Sequence, residues 1–204
     1  STYTVSFDRA AAVAELSETI ASTAVDVFVY DTTKDSDGGA WRTGALAQAS
    51  SWYNETLNTA TRGSRQEFPE VAVIVAEATK VTIYDGDDAT LPMWMVFNQT
   101  ASPTGDYDWF RSGRTPSSCA GLNGIISFGT NVNAYSGYCE VDLLSDDLKR
   151  ISSATNNGGF GKTVVNRNAY TDLPSRVSVV VVNDKVNDVA MTVLSDAPIN
   201  PATG

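Results

Sequence analysis

Past residue 21 the apolar residues of this chain fall in short runs rich in valine, isoleucine and aromatics, each closed by turn-forming residues. VDVFVYD (25–31), VAVIVAE (71–77), KVTIYDG (80–86), PMWMVFN (92–98), NGIISFG (123–129), GYCEVDLL (137–144), RVSVVVV (176–182) and NDVAMTVL (187–194) read as strands. The separators DGDD, SPTGD, SDD, NNGG and VNDKVND are turn chemistry. VAVIVA and VSVVVV are continuously apolar, as in strands covered on both faces. EVDLLSDDLKRI alternates and turns at Ser145, Asp146 and Asp147, which predicts an outer hairpin. LAQASSWYNETLNTATRGSRQEFPE (46–70) is longer than a hairpin loop and predicts a helical turn within it.

The first residues follow a different period. Val13, Leu16 and Ile20 recur at helical spacing behind Asp8 as N-cap, predicting a short helix over 8–21. Alanines at 10, 11, 12 and 14 make its apolar face shallow, suited to lying against a surface. Such a helix docks on its own domain or serves as a peg in a neighbouring subunit. Residues 1–24 are therefore set apart as a helical attachment segment from a β-rich domain over 25–204.

The order of buried strand, tight turn, half-exposed strand and acidic turn recurs, over 71–98 and again over 122–152. The expected fold is mainly β, with propeller-like blades or, alternatively, a β-sandwich, and a short N-terminal α-helix. About eight strands make two blades, and closed propellers need four or more. The domain is thus expected to be continued by more chain or completed by partner subunits.

Composition narrows the function. The net charge is −10 over 204 residues and the isoelectric point is near 4.3. Nucleic-acid binding is not expected, because phosphate contacts need clustered Lys and Arg. The chain has no histidine, which removes the Ser-His-Asp triad and His-based metal centres. No apolar stretch is long enough for a membrane-spanning helix, and STYTVSFDRAAAV lacks the features of a secretory signal. The two cysteines, Cys119 and Cys139, are too few for a zinc site. A hairpin between GLNGIISFG and GYCEVDLL sets Cys139 opposite Phe128, away from Cys119, so two free thiols are expected.

Candidate chemistry is sparse. In DTTKDSDGGAWR (31–42), Asp35 and Asp37 precede a glycine as in a calcium loop, but the residue six beyond Gly38 is Gly44, where such a loop needs a bidentate Glu. Asp85 and Asp87 likewise offer carboxylates without the pattern. These four are weak Ca²⁺ candidates, and both stretches read better as Asp-Gly turns. No other cofactor and no catalytic residue is expected. Glu55, Glu67, Glu70 and Glu77 lie near Trp52 and Tyr53 in sequence, and two carboxylates with a sugar-stacking aromatic would suit a glycosidase or a glycan surface. With 24 acids in the chain, such pairs carry little weight. NNGGFGKT (156–163) has Asn156 where a phosphate loop needs Gly, and reads as a flexible glycine loop. WFRSGRTP (109–116) gathers Trp109, Phe110, Arg111 and Arg114, either an interface or a loop tucked beneath a sheet.

DTTKDSDGGAWR, SSWYNETLNTATRGSRQEFPEVAVIVAEATKVTIYDGDD and LPMWMVFN resemble large virion structural or tail-associated proteins of marine bacteriophages. LNGIISFG and VNDVAMTVLSDAPINPATG are similar to the same group. The resemblance runs through 22–100 and in patches through 120–204; the first twenty residues stand outside it. It implies a propeller-like N-terminal region, often followed by laminin-G-like domains, and a location in the virion after synthesis in the host cytoplasm. It implies other tail proteins and copies of the same chain as partners, with host surface glycan as a further partner for a fibre. It assigns no catalytic or binding residue. The expected role is a non-enzymatic tail-associated adaptor or fibre component, with Val13, Leu16, Ile20, Trp109, Phe110, Arg111 and Arg114 as interface candidates. A glycan-binding receptor module is the alternative.

Overall fold

The computed structural model of the chain describes residues 4–6, 13–55, 66–100, 109–131, 137–152, 159–169 and 185–192. The fold is mainly β. Two short strands, β1 (Thr4–Ser6) and β2 (Val13–Glu15), pair with each other. Helix α1 (Glu18–Thr23) follows and leads directly into β3 (Ala24–Asp31). β3, β4 (Val71–Glu77), β5 (Lys80–Asp85) and β6 (Met93–Asn98) form one antiparallel sheet in sequence order. β7 (Pro116–Leu122), β8 (Ile125–Thr130), β9 (Gly137–Asp142), β10 (Asp147–Ser152) and the short β11 (Gly159–Lys162) form the second, also in sequence order.

The turns follow from their residues. β7 and β8 are joined by Asn123 and Gly124 alone, with φ of 51° and 72°, the mirror-image turn that Asn-Gly favours in a hairpin. The helical turn expected within 46–70 is present at its start as helix α2 (Ala45–Ala49), preceded by a 3-10 turn, Ala40–Arg42, in the DTTKDSDGGAWR stretch.

The expected helix over 8–21 is shorter and later. Ser17, not Asp8, caps α1 by accepting from the Ile20 backbone N–H, and Val13 lies in a strand. Leu16 is buried and packs with Ile20 against Val73, Val75 and Tyr84 of the first sheet and Leu91 of the β5–β6 connection. Leu16 and Ile20 are thus spent on the chain's own core. With Ala72, Ile74 and Ala76 buried on the other side, β4 is covered on both faces, as its continuous apolar run requires.

The two sheets converge at one end and diverge at the other. Their backbones come closest where β7 runs past β3 and β4. Small residues permit this: a Cβ on Gly121 would stand 2.8 Å from the Tyr30 ring, and the Cys119 thiol reaches the Ile74 carbonyl at 3.8 Å. Toward the outer strands the gap is filled by rings, many of them supplied by connecting segments. Phe68 touches Tyr30, Trp41 and Trp94, with Trp94 at 4.9 Å; Trp52 packs on Trp94 at 5.7 Å; Trp109 contacts Phe97, Phe110 and Phe128. Burying one such side chain contributes roughly 2–3 kcal/mol. The core is a wedge of aromatics.

Some expected elements differ. Residues 187–192 form no strand, and only Lys185 makes an isolated bridge, to Asn131; the expected strand over 176–182 lies outside the described residues. Part of the glycine loop expected over 156–163 is strand β11, paired with β10. β7 was not expected, since PSSCAGL is neither strongly apolar nor β-branched. Cys119 and Cys139 are free and buried. They lie opposite Phe128 from either side, so two strand spacings, about 9–10 Å, separate them, too far for a disulfide.

Candidate functional site

The acidic turns converge on backbone N–H groups. At the narrow end of the wedge the loop after β3 carries Asp35, which is buried. Its Oδ2 accepts from the Tyr30 hydroxyl at 2.7 Å and the Trp41 indole Nε1 at 2.8 Å, and its Oδ1 accepts from the Asn123 backbone N–H at 2.8 Å. The Tyr30 oxygen in turn accepts from the Gly124 N–H at 2.7 Å, and the Asn123 side chain exchanges hydrogen bonds with Ser36. The DTTKDSDGGAWR loop therefore clasps the β7–β8 turn of the other sheet. At the opposite end of β3, Asp26 accepts from the Cys119 N–H at 2.8 Å.

Other carboxylates act similarly. Asp37 accepts from the Gly39 and Trp41 N–H groups, closing its own turn. Asp87 accepts from the Glu70 and Val71 N–H groups, and Asp85 from that of Asp87. Asp146, at the β9–β10 turn with φ of 56°, accepts from both the N–H and the hydroxyl of Ser51 and from the Val164 N–H. Charge-assisted bonds of this kind are roughly twice as strong as neutral ones.

Burial sets the protonation states. It raises the Asp35 carboxyl above the usual aspartate range, against the three donors that lower it. Burial, with the neighbouring Asp35 charge, pushes the Tyr30 phenol far above its ordinary value. Burial and Asp26 likewise push up the Cys119 thiol. The phenol and thiol keep their protons and serve as hydrogen-bond donors, not nucleophiles.

The weak calcium candidates are thus split between two loops, Asp35 and Asp37 in one, Asp85 and Asp87 in the other, with oxygens turned to N–H or O–H donors. Among the described residues no three His, Cys, Asp or Glu are grouped to hold a metal ion. The glutamates near Trp52 and Tyr53 in sequence are dispersed. Glu55 pairs with Arg167 at 2.9 Å, Glu70 with Arg42 at 3.7 Å and Glu77 with Lys80 at 3.0 Å. All four tryptophans are interior, each indole N–H donating to the protein: Trp41 to Asp35, Trp52 to Leu143 O, Trp94 to Glu67 O and Trp109 to Arg167 O.

Three of the four interface candidates of WFRSGRTP are also buried, and Arg111 is half-buried. Trp109 and Phe110 are fully buried in the core, tucked beneath the second sheet. Arg111 bridges to Thr100, and Arg114 is buried with its carbonyl accepting from the Gln99 amide. Sequence reasoning missed Tyr30, Asp26, Asn123 and Asp146. The Asn123-Gly124 pair was a legible hairpin signal; nothing local marks Asp26 or Tyr30 as cross-sheet groups, because their partners on the other sheet lie about ninety residues away.

One polar row remains, on the face of the second sheet turned away from the wedge. The hydroxyls of Ser127 and Tyr138 are 2.6 Å apart, Tyr138 donates to Glu140 at 2.8 Å, and Lys149 Nζ reaches Glu140 at 2.8 Å and Asp142 at 3.4 Å. Burial pulls the Lys149 ammonium down, but Glu140 and Asp142 outweigh it, so the amine stays charged. The row is internally satisfied. The chain matches no protein-family model, no curated protein and no solved structure.

Proposed function

We propose that the chain is a non-enzymatic structural part of a phage virion, a tail-associated adaptor or fibre component that works by packing. In this reading the two sheets are neighbouring propeller-like blades, and further chain or partner subunits, including copies of itself, complete the assembly. The observation that carries it is the wedge. Both sheets run in sequence order from a first strand at the narrow end, and β3 and β7 abut there as the inner strands of adjacent blades do. The spent carboxylates favour packing over chemistry: Asp35 and Asp26 clasp one sheet to the other, and Asp37, Asp85 and Asp87 bind N–H groups of their own turns and sheet. The resemblance of DTTKDSDGGAWR and its neighbours to virion proteins supports the location. No observation favours the glycan-binding alternative, since the tryptophans that would stack on a sugar are interior.

Light scattering of the purified chain, with calcium and then with chelator, tests this reading. A defined oligomer indifferent to chelator is expected. A monomer that loses thermal stability when calcium is removed would overturn it and return Asp35, Asp37, Asp85 and Asp87 to the role of ligands.

A further inference from the structure

The outer edge of β6 is closed by a side chain where a strand could lie. Asn98 donates its backbone N–H to Asn168 Oδ1 at 2.6 Å, and Asn168 Nδ2 donates to the Val96 carbonyl at 3.0 Å. An N–H and a C=O flanking Phe97 thus bond the two ends of one carboxamide. That is the pattern one residue of a parallel strand makes with its neighbour, so the Asn168 amide stands in for a peptide unit. Arg167 reinforces it, donating from Nε to Val96 O at 2.9 Å.

Arg167 is the anchor and Asn168 the exposed tip. Arg167 is buried, with Nη1 2.9 Å from Glu55 and 3.1 Å from Val164 O, and its guanidinium lies 5.9 Å from the Phe97 ring centre. Asn168 and Asn98 are exposed, so solvent or another strand can compete for this pair of bonds.

The strand beneath is one that needs guarding. MWMVFN carries no charged residue in a chain of net charge −10. Edge strands commonly avoid association by lysines, prolines or inward charges, and β6 has none of these. Because it is uncharged, the same strand of a second copy can lie against it about a two-fold axis without like charges meeting.

We propose that the outer edge of β6 is a strand-addition site for β6 of a second copy of this chain, and that the Asn168 carboxamide holds it closed. The proposal does not depend on a virion role. The test is Asn168→Ala in the full chain, with Asn168→Asp as a second variant that can accept from Asn98 but cannot donate to Val96. Hydrogen exchange of the Asn98 amide and mass by light scattering are read against the wild type, with near-ultraviolet circular dichroism to establish the fold. Loss of one bond should speed exchange at Asn98 about tenfold in freshly diluted Asn168→Ala. At higher concentration the mass should double or rise further. Adding Val96→Pro, which removes an outward N–H from the edge, should return the mass to the wild-type value. Unchanged protection of Asn98, or free exchange with the wild-type mass at every concentration, overturns the proposal.

Discussion

At the narrow end of the wedge the sheets are held by polar atoms, at the wide end by rings. The narrow end brings two backbones together, and close backbones leave N–H groups that only an inserted acceptor can satisfy. Asp35 and Asp26 supply it, reaching Asn123 and Cys119 across the seam. At the wide end the backbones are apart and the space needs volume, which Trp52, Trp94, Trp109 and Phe68 provide, with each indole N–H tied to a carbonyl. One end is therefore directional and intolerant of added atoms; the other is bulky and intolerant of lost ones.

The largest expected effect comes from emptying the wide end. Trp94→Ala removes a ring in contact with Trp52 and Phe68 and should cost about 4 kcal/mol, measured by urea denaturation. A cost below about 1 kcal/mol would mean that the outer gap is not close-packed.

Next comes the clasp. An amide at position 35 can accept from Tyr30 and Trp41 but then turns its own N–H toward that of Asn123. Asp35→Asn should lose about 2 kcal/mol and speed exchange of the Asn123 amide. Its pH dependence has a definite sign. The folded Asp35 carboxyl sits above its ordinary value, so the wild type gains stability as pH falls from that raised value toward 3.8 and loses it as pH rises again. Asp35→Asn lacks this slope, so the gap between the two proteins should widen on acidification through that window. A gap that narrows there would show a carboxylate held below its usual range.

The smallest effect should come from adding one carbon at the seam. Gly121→Ala presses a methyl against the Tyr30 ring, at 2.8 Å if nothing moves, and should cost about 1–2 kcal/mol. Far-ultraviolet circular dichroism should be unchanged while the melting temperature falls. A neutral result would mean that the sheets can part slightly without loosening the clasp.

These positions differ in how far the sequence announced them. β4 was visible as a continuous apolar run and β6 as a run of aromatics and methionines, because burial on both faces or against a ring layer demands that composition. β7 was not, because Gly121 and Cys119 are small to fit the narrow end, a reason that exists only when β3 lies alongside. Trp109 and Phe110 looked as suited to an interface as to a core, since both environments select aromatics. The helix over 8–21 was read from periodicity and a cap at Asp8, and the pairing of Val13–Glu15 with Thr4–Ser6 overrode it.

The candidate site was legible as residues and not as purpose. DTTKDSDGGAWR reads correctly as a turn at Asp37, whose oxygens bond N–H groups two and four residues on, because that contact is local. Asp35, two residues earlier in the same turn, bonds Asn123, eighty-eight residues away. The sequence by itself determined the strands with one dominant environment, the turns with local partners and the acidic balance. Only the tertiary structure decided which carboxylates clasp one sheet to the other and which amide guards an edge. A hydrogen bond depends on distance in space, and nothing in the spacing of residues along a chain measures that.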